Sequence, residues 1–170
     1  EIHSSKVFRD RFIPFAVINP IYASWRDHFH ISIDKLGMKG IRIYPQYHGY
    51  TLIEPALVEL VKRARDRDLP VAISLRMVDS RPSSWMDLER SKEWALKDVM
   101  PILREVPDVK MFILNVANGT QLSSADELLI RQGNVLMDTS GRNITNLGAL
   151  IQLYGQERFA YGSHAPMLDE

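Results

Sequence analysis

Six times along the chain a short apolar run ends in a cluster of polar residues and gives way to a helical pattern. The runs cover 12–18, 40–44, 70–75, 110–114, 134–137 and 158–161. They are followed by Asn19-Pro20, Pro45-Gln46-Tyr47-His48, Arg76, the segment 115–118, Asp138-Thr139-Ser140-Gly141 and Gly162-Ser163-His164-Ala165-Pro166. Buried strands that alternate with helices build a parallel sheet, because only a crossover helix returns the chain to start the next strand in the same direction. The carboxyl ends of such strands share one rim, and α/β enzymes keep their sites there. The pattern therefore predicts both an α/β fold and the side of it on which chemistry belongs.

The helical segments predicted between the strands are 24–36, 54–67, 87–105, 123–131 and 144–154. In the first, Ser24 reads as N-cap, Phe29, Ile33 and Leu36 as the apolar stripe, and Gly37 as the C-cap. The second has Pro55 in its first turn and Leu57, Leu60, Val61 and Ala64 on one face. Pro101 interrupts or kinks the third. Ser123-Ser124-Ala125-Asp126-Glu127 carries capping chemistry, while 46–50 and 77–86 read as loops. The whole of 1–170 reads as one domain.

Composition narrows the partners. Lys plus Arg and Asp plus Glu number 21 each, so no net field draws in nucleic acid or an anionic membrane. The absence of Cys excludes a disulfide framework, a thiolate nucleophile and a Cys-ligated metal, and fits a reducing, cytoplasmic setting. No apolar run approaches the roughly 20 residues of a membrane span. A small-molecule substrate is the partner class left. No phosphate loop, dinucleotide glycine fingerprint or Gly-x-Ser-x-Gly elbow occurs.

Candidate site residues follow from position. His3, His28 and His30 suit surface or packing roles, whereas His48 and His164 stand just beyond strands, where either a site or loop packing uses an imidazole. Asp138 ends a strand before Thr139-Ser140-Gly141 and reads either as a general base or as a turn cap. Arg42 and Arg76 lie in or just after strands. Each is paired with a carboxylate such as Asp79 or Asp138, or is available to clamp a substrate carboxylate, and Arg76 has the better position at the strand end. Tyr47, Asn19 and Asn115 complete the set expected to line the mouth.

At these strand ends the chain resembles the amidohydrolase-related TIM-barrel family of decarboxylases, lactonases and metal-dependent hydrolases. The stretches that carry the likeness include Asp10-Arg-Phe-Ile-Pro-Phe-Ala-Val-Ile-Asn-Pro20, Leu36-Gly-Met-Lys-Gly-Ile-Arg-Ile-Tyr-Pro45 and Leu69-Pro-Val-Ala-Ile-Ser74. Two more are Asn134-Val-Leu-Met-Asp-Thr-Ser140 and Glu157-Arg-Phe-Ala-Tyr-Gly-Ser-His-Ala-Pro166, the last similar to the family's Arg-x-x-x-Gly-Ser-Asp-x-Pro signature. The resemblance implies a parallel (β/α) barrel of which this chain holds six of eight βα units, the third to the eighth strand. Two outer strands would then be edges that a second copy or further chain segments cover.

Where metal-using relatives place His after the fifth and sixth strands and Asp after the eighth, this chain reads Ser74, Asn115 and His164. Neutral hydroxyl and amide groups are poor ligands for a zinc-like ion, so no tightly bound metal and no other cofactor is expected. The resemblance implies a hydrolase, or less readily a decarboxylase, acting on a small carboxylate-bearing lactone or amide. His164 or Asp138 would serve as general acid or base, with Arg76, His48, Tyr47, Asn115 and Asn19 around the substrate. The alternative is a non-catalytic member that binds a small molecule or a protein through the same mouth.

Overall fold

Each of the six apolar runs forms a strand: β1 (Ala16–Val17), β2 (Ile41–Ile43), β3 (Val71–Ser74), β4 (Met111–Leu114), β5 (Val135–Asp138) and β6 (Phe159–Ala160). The structure, a computed structural model, describes residues 12–75, 94–116, 121–140 and 144–162. All neighbouring strands are parallel and follow chain order, β1-β2-β3-β4-β5-β6, in one sheet. Each step from one strand to the next is a crossover, the arrangement expected from the alternating pattern. The ladder-forming parts are shorter than the apolar runs that announce them, as with two residues in β1 against seven in its run.

Register separates the two faces of the sheet. Ile41, Val71, Met111 and Val135 are side by side, as are Ile43, Ile73, Ile113 and Met137. All of these are buried in one core with the helices. Full burial of each such side chain contributes roughly 1.5–3 kcal/mol. The alternate row, Val17, Arg42, Ala72, Phe112 and Leu136, points away from the helices. Two residues further on, Ser74 and Asp138 share that second face.

The sheet is curled. Phe15, just before β1, stacks on Phe112 of β4 with ring centroids 6.2 Å apart. Three strand spacings would separate these strands by roughly 14 Å in a flat sheet, so the rings meet only because the inner face closes on itself. Phe15 lies directly over Gly40, where any Cβ would stand 2.6 Å from the ring. Among the described residues β1 and β6 are the two edges of the sheet, and the barrel is open between them.

The helices show where local chemistry agrees with the sequence pattern and where it does not. They are α1 (Trp25–His30), α2 (Pro45–His48), α3 (Pro55–Asp66), α4 (Leu96–Glu105), α5 (Ser124–Gln132) and α6 (Ile144–Tyr154). In α3 the stripe Leu57, Leu60, Val61 and Ala64 is completely buried, as its spacing requires. Ser123 caps α5: its Oγ accepts from the Asp126 N–H at 3.3 Å and donates to Asp126 Oδ2 at 2.8 Å.

Three expectations need correction. First, α1 does not continue as an α-helix to Leu36. It widens into a π turn (Ile31–Lys35), the Leu36 N–H reaching back to the Ile31 carbonyl, and Leu36 rotates into solvent at 59% exposure. Gly37 then ends the segment at φ +69°. Ser24 precedes α1 without a side-chain cap bond. Second, the expected loop at 46–50 begins as α2, because Pro45 occupies the first helical position and the His48 N–H finds the Tyr44 carbonyl. Third, α4 runs through Pro101 without interruption. Its buried stripe of Leu96, Val99, Met100, Ile102 and Leu103 outweighs the lost amide donor on the exposed side. The segment 77–86 lies outside the described residues.

Candidate active site

The second face of the sheet becomes polar at its carboxyl end, and there the side chains form one connected chain. Arg42 Nη2 donates to Ser74 Oγ at 2.6 Å. Ser74 Oγ donates to Asn115 Oδ1 at 3.3 Å. Asn115 Nδ2 donates to Ser140 Oγ at 2.6 Å, and Ser140 Oγ donates to Asp138 Oδ2 at 2.6 Å. The chain thus crosses from β2 to β5, and every donor points from the guanidinium toward the carboxylate.

Asn115 is the hinge of this arrangement. It follows β4 at φ +58°, in the left-handed region that Asn tolerates better than most residues. Strict alternation after Leu114 would send its side chain to the helical layer. The left-handed turn instead buries it at 2% exposure between Ser74 and Ser140 and leaves Val116 in the core. The same turn aims the Asn115 N–H at Asp138 Oδ1, 2.8 Å away.

Asp138 is therefore held at both oxygens and is 6% exposed. Gly162, beyond β6, packs against it so closely that a Cβ there would stand 2.8 Å from Asp138 Oδ2. A carboxylate offers about four acceptor positions, of which the described residues occupy two.

Aromatic groups flank the Arg42 end. Its guanidinium carbon sits 5.1 Å from the Tyr44 ring centroid. Tyr44 meets His48 edge-on at 6.4 Å, His48 stacks on Tyr50 at 6.2 Å, and Tyr47 lies 5.4 Å from His48. Partial burial pushes the His48 imidazole below its ordinary pKa, which favours the neutral ring near pH 7. Its Nδ1 is shut off from water and has no hydrogen-bond partner among the described residues. Burial likewise raises the Tyr50 phenol, whose hydroxyl is unpartnered in the same sense.

The structure thus brings Asn115 and Asp138 into direct contact and joins His48 to them through Tyr44 and Arg42. Tyr47 is 69% exposed and meets the His48 ring. Asn19 is not drawn into the chain: its Oδ1 accepts from the Ile21 N–H at 3.2 Å, so the side chain folds back on its own turn. Arg76 and His164 lie outside the described residues. Sequence reasoning placed Arg42 behind Arg76 and gave Ser140 only a turn role. The signals were present in the period-two alternation that sets Arg42 and Ser74 on one face, and in a hydroxyl two residues past Asp138.

As a metal centre these donors are ill suited. Among the described residues no three His, Asp or Glu side chains come together. The strand ends supply a hydroxyl, a neutral amide and one carboxylate already accepting two hydrogen bonds, a set that does not fit a zinc-type ion.

Six parallel strands in a curled sheet, helices on the outer face and a polar network at the carboxyl rim define a partial TIM barrel. The chain belongs to the amidohydrolase family, whose pattern matches residues 4–170. Among solved structures it is similar to a TIM-barrel protein from Bordetella bronchiseptica at 17% identity and a TM-score of 0.68, over 95% of this chain and 57% of that one. It is also similar to 5-carboxyvanillate decarboxylase from Novosphingobium aromaticivorans, solved with manganese (19% identity, TM-score 0.66, 95% and 56% covered). A third is amidohydrolase 2 from Bifidobacterium longum subsp. infantis (19%, TM-score 0.53, 78% and 48%). The chain spans roughly half to three fifths of the length of these structures. No curated protein matches it. Among the described residues no helix is long and apolar enough to cross a membrane.

Proposed function

We propose that this protein is a hydrolase of the amidohydrolase type, acting on a small carboxylate-bearing lactone or cyclic amide without tightly bound zinc. The observation that carries this reading is the hydrogen-bond chain from Arg42 to Asp138 across the strand ends. It sets a fixed cation and a fixed carboxylate on the rim where barrel enzymes act, with neutral Ser74 and Asn115 between them. In this reading Asp138 takes the proton of an attacking water, and His164, four residues after β6 in the sequence, supplies or receives the second proton. His48, held neutral, and Tyr47 line the aromatic side. Arg76, two residues after Ser74 in the sequence, is assigned to the same rim.

One observation favours a second reading. Both Asp138 oxygens are already engaged and Gly162 seals one side of the group, which suits a structural tie between β4, β5 and β6 in a non-catalytic binding member. A panel of lactones, cyclic amides and aromatic acids, assayed with and without a chelator, separates the two. The hydrolase reading expects turnover that survives chelation and falls by about 100-fold or more in Asp138→Asn, the scale of a lost general base. Absence of turnover across the panel, or turnover unaffected by Asp138→Asn, sinks it.

A further inference from the structure

We propose that the open edge of β1 pairs with the same edge of a second copy of this chain, antiparallel and two-fold related, with Val17 opposite Val17. The interface stands apart from the strand-end rim and does not rest on the hydrolase reading.

The backbone defines the edge. Ala16 and Ile18 send their N–H groups to the Gly40 and Arg42 carbonyls at 2.9 and 3.1 Å. Val17 between them, and Phe15 before them, therefore turn N–H and C=O to the other side, away from β2. Among the described residues no strand lies there. Natural edges of this kind are commonly blunted by charge or by proline. Neither acts here. Residues 12–25 contain no Asp, Glu, Lys or Arg. Pro14 directs its carbonyl to β2, where it accepts from the Lys39 N–H at 2.8 Å, so the donor that this proline lacks is not missing from the open side.

The side chains along this edge select the occupant. Phe12, Ile13, Val17, Ile21 and Tyr22 are all exposed, Ile13 at 75% and Val17 at 57%. Their order is symmetric about Val17: Pro14 and Pro20 stand three residues to either side, Ile13 and Ile21 four, Phe12 and Tyr22 five. Two identical strands paired antiparallel are two-fold symmetric about the central residue, so position 13 of one copy meets 21 of the other and 12 meets 22. In that register apolar meets apolar at each exposed position, and the prolines that bound the ladder face one another. A neutral edge also meets itself without bringing like charges together. The β6 edge lacks this symmetry and neutrality, since Glu157 and Arg158 directly precede its strand. Because Val17 faces outward, the central pair exchanges both of its N–H···O bonds. The joined sheet takes six strands from each copy, with the two carboxyl rims at opposite ends.

The chain has no Cys, so a single introduced thiol reports on one position. Sedimentation equilibrium of the full chain should show a monomer–dimer equilibrium. Val17→Cys should form an intermolecular disulfide under mild oxidation, since facing residues of such a pair have Cα atoms about 5.5 Å apart, within disulfide range. Ile21→Cys should not, because Ile21 faces Ile13 of the other copy and the two thiols lie at opposite ends of the pairing. Val17→Lys, which sets two like charges face to face, should weaken the dimer by about tenfold or more. Val17 and Ile21 are exposed, so these variants keep the fold, and circular dichroism checks it. The proposal is overturned by a monomer at the highest attainable concentration, by a dimer that Val17→Lys leaves intact, or by Ile21→Cys linking as readily as Val17→Cys. A mixed disulfide between a Val17→Cys copy and an Ala160→Cys copy, formed in preference to the Val17→Cys self-link, would make the β6 edge the occupant and overturn it likewise.

Discussion

The two faces of the same sheet follow opposite rules. Toward the helices, the side chains of β2 to β5 are aliphatic or Met, buried and closely packed, and Arg26, Arg67 and Arg104 around that layer reach carboxylates. On the inner face, one residue away along each strand, Arg42 meets a neutral hydroxyl among the described residues and an asparagine just past β4 adopts a left-handed backbone. The outer face is arranged for stability. The inner face gathers polar groups at the strand ends instead of close packing, the pattern expected where function and stability compete.

The sharpest way to break this contrast uses adjacent residues of β4. Ile113 is fully buried on the outer face, and Leu114 is half-buried on the inner one. Ile113→Ala should cost about 2–4 kcal/mol in urea unfolding, through lost burial and the cavity left behind. Leu114→Ala should cost about 1 kcal/mol, since less of its surface leaves water on folding. Equal costs would mean that the inner face is packed as tightly as the outer, and the contrast would fall.

A smaller effect is expected at Arg42. Replacing a half-buried cation whose partner among the described residues is a neutral hydroxyl by an apolar residue of similar length should leave stability unchanged or raise it by up to about 1 kcal/mol. Arg42→Met measured by thermal unfolding checks this. A loss above about 2 kcal/mol would show that the guanidinium is a structural strut, with the Ser74 bond as its purpose.

The smallest effect concerns pH. His48 titrates below its ordinary value because partial burial disfavours the charged ring, so the unfolded chain takes up this proton at a higher pH than the folded one. The fold should therefore lose stability as pH drops from 7 through the ordinary His range, and His48→Gln should flatten part of that slope. Unfolding midpoints of the two proteins between pH 5 and 7.5 supply the measurement. Parallel curves would place His48 in an environment no drier than the unfolded chain.

How much of this was legible in the sequence depends on the range of the interaction involved. The six strands and the buried stripe of α3 were readable because period and turn chemistry are local. The parallel order followed from the alternation, since consecutive strands joined by helices have few other options. Residues around Leu36 misled because a single π turn shifts the helical phase, and the sequence holds no proline or glycine inside 31–35 to announce it. Site legibility split the same way. Asp138 and Asn115 stood at strand ends and were found there. The pairing of Arg42 with Ser74 depends on register between β2 and β3, and that of Asn115 with Ser140 on a backbone turned left-handed. Neither is written in any one segment. Asn19 shows the converse, a strand-end amide that accepts a hydrogen bond within its own turn.

The direction of the donors between Ser74 and Asp138 has one more consequence. Ser140 has a single hydroxyl proton, and it serves Asp138 only because the Asn115 amide presents its NH2 to the Ser140 oxygen. Were that amide turned over, its oxygen would claim the same proton. Asp138 would then keep the Asn115 main-chain bond alone. Half a rotation about one terminal torsion thus decides whether the carboxylate is doubly or singly solvated by the protein, with no strand or helix displaced. The order of donors along the rim therefore fixes how many of these hydrogen bonds Asp138 accepts. The Arg42 guanidinium at the far end, which can only donate, sets the direction that Ser74 passes on.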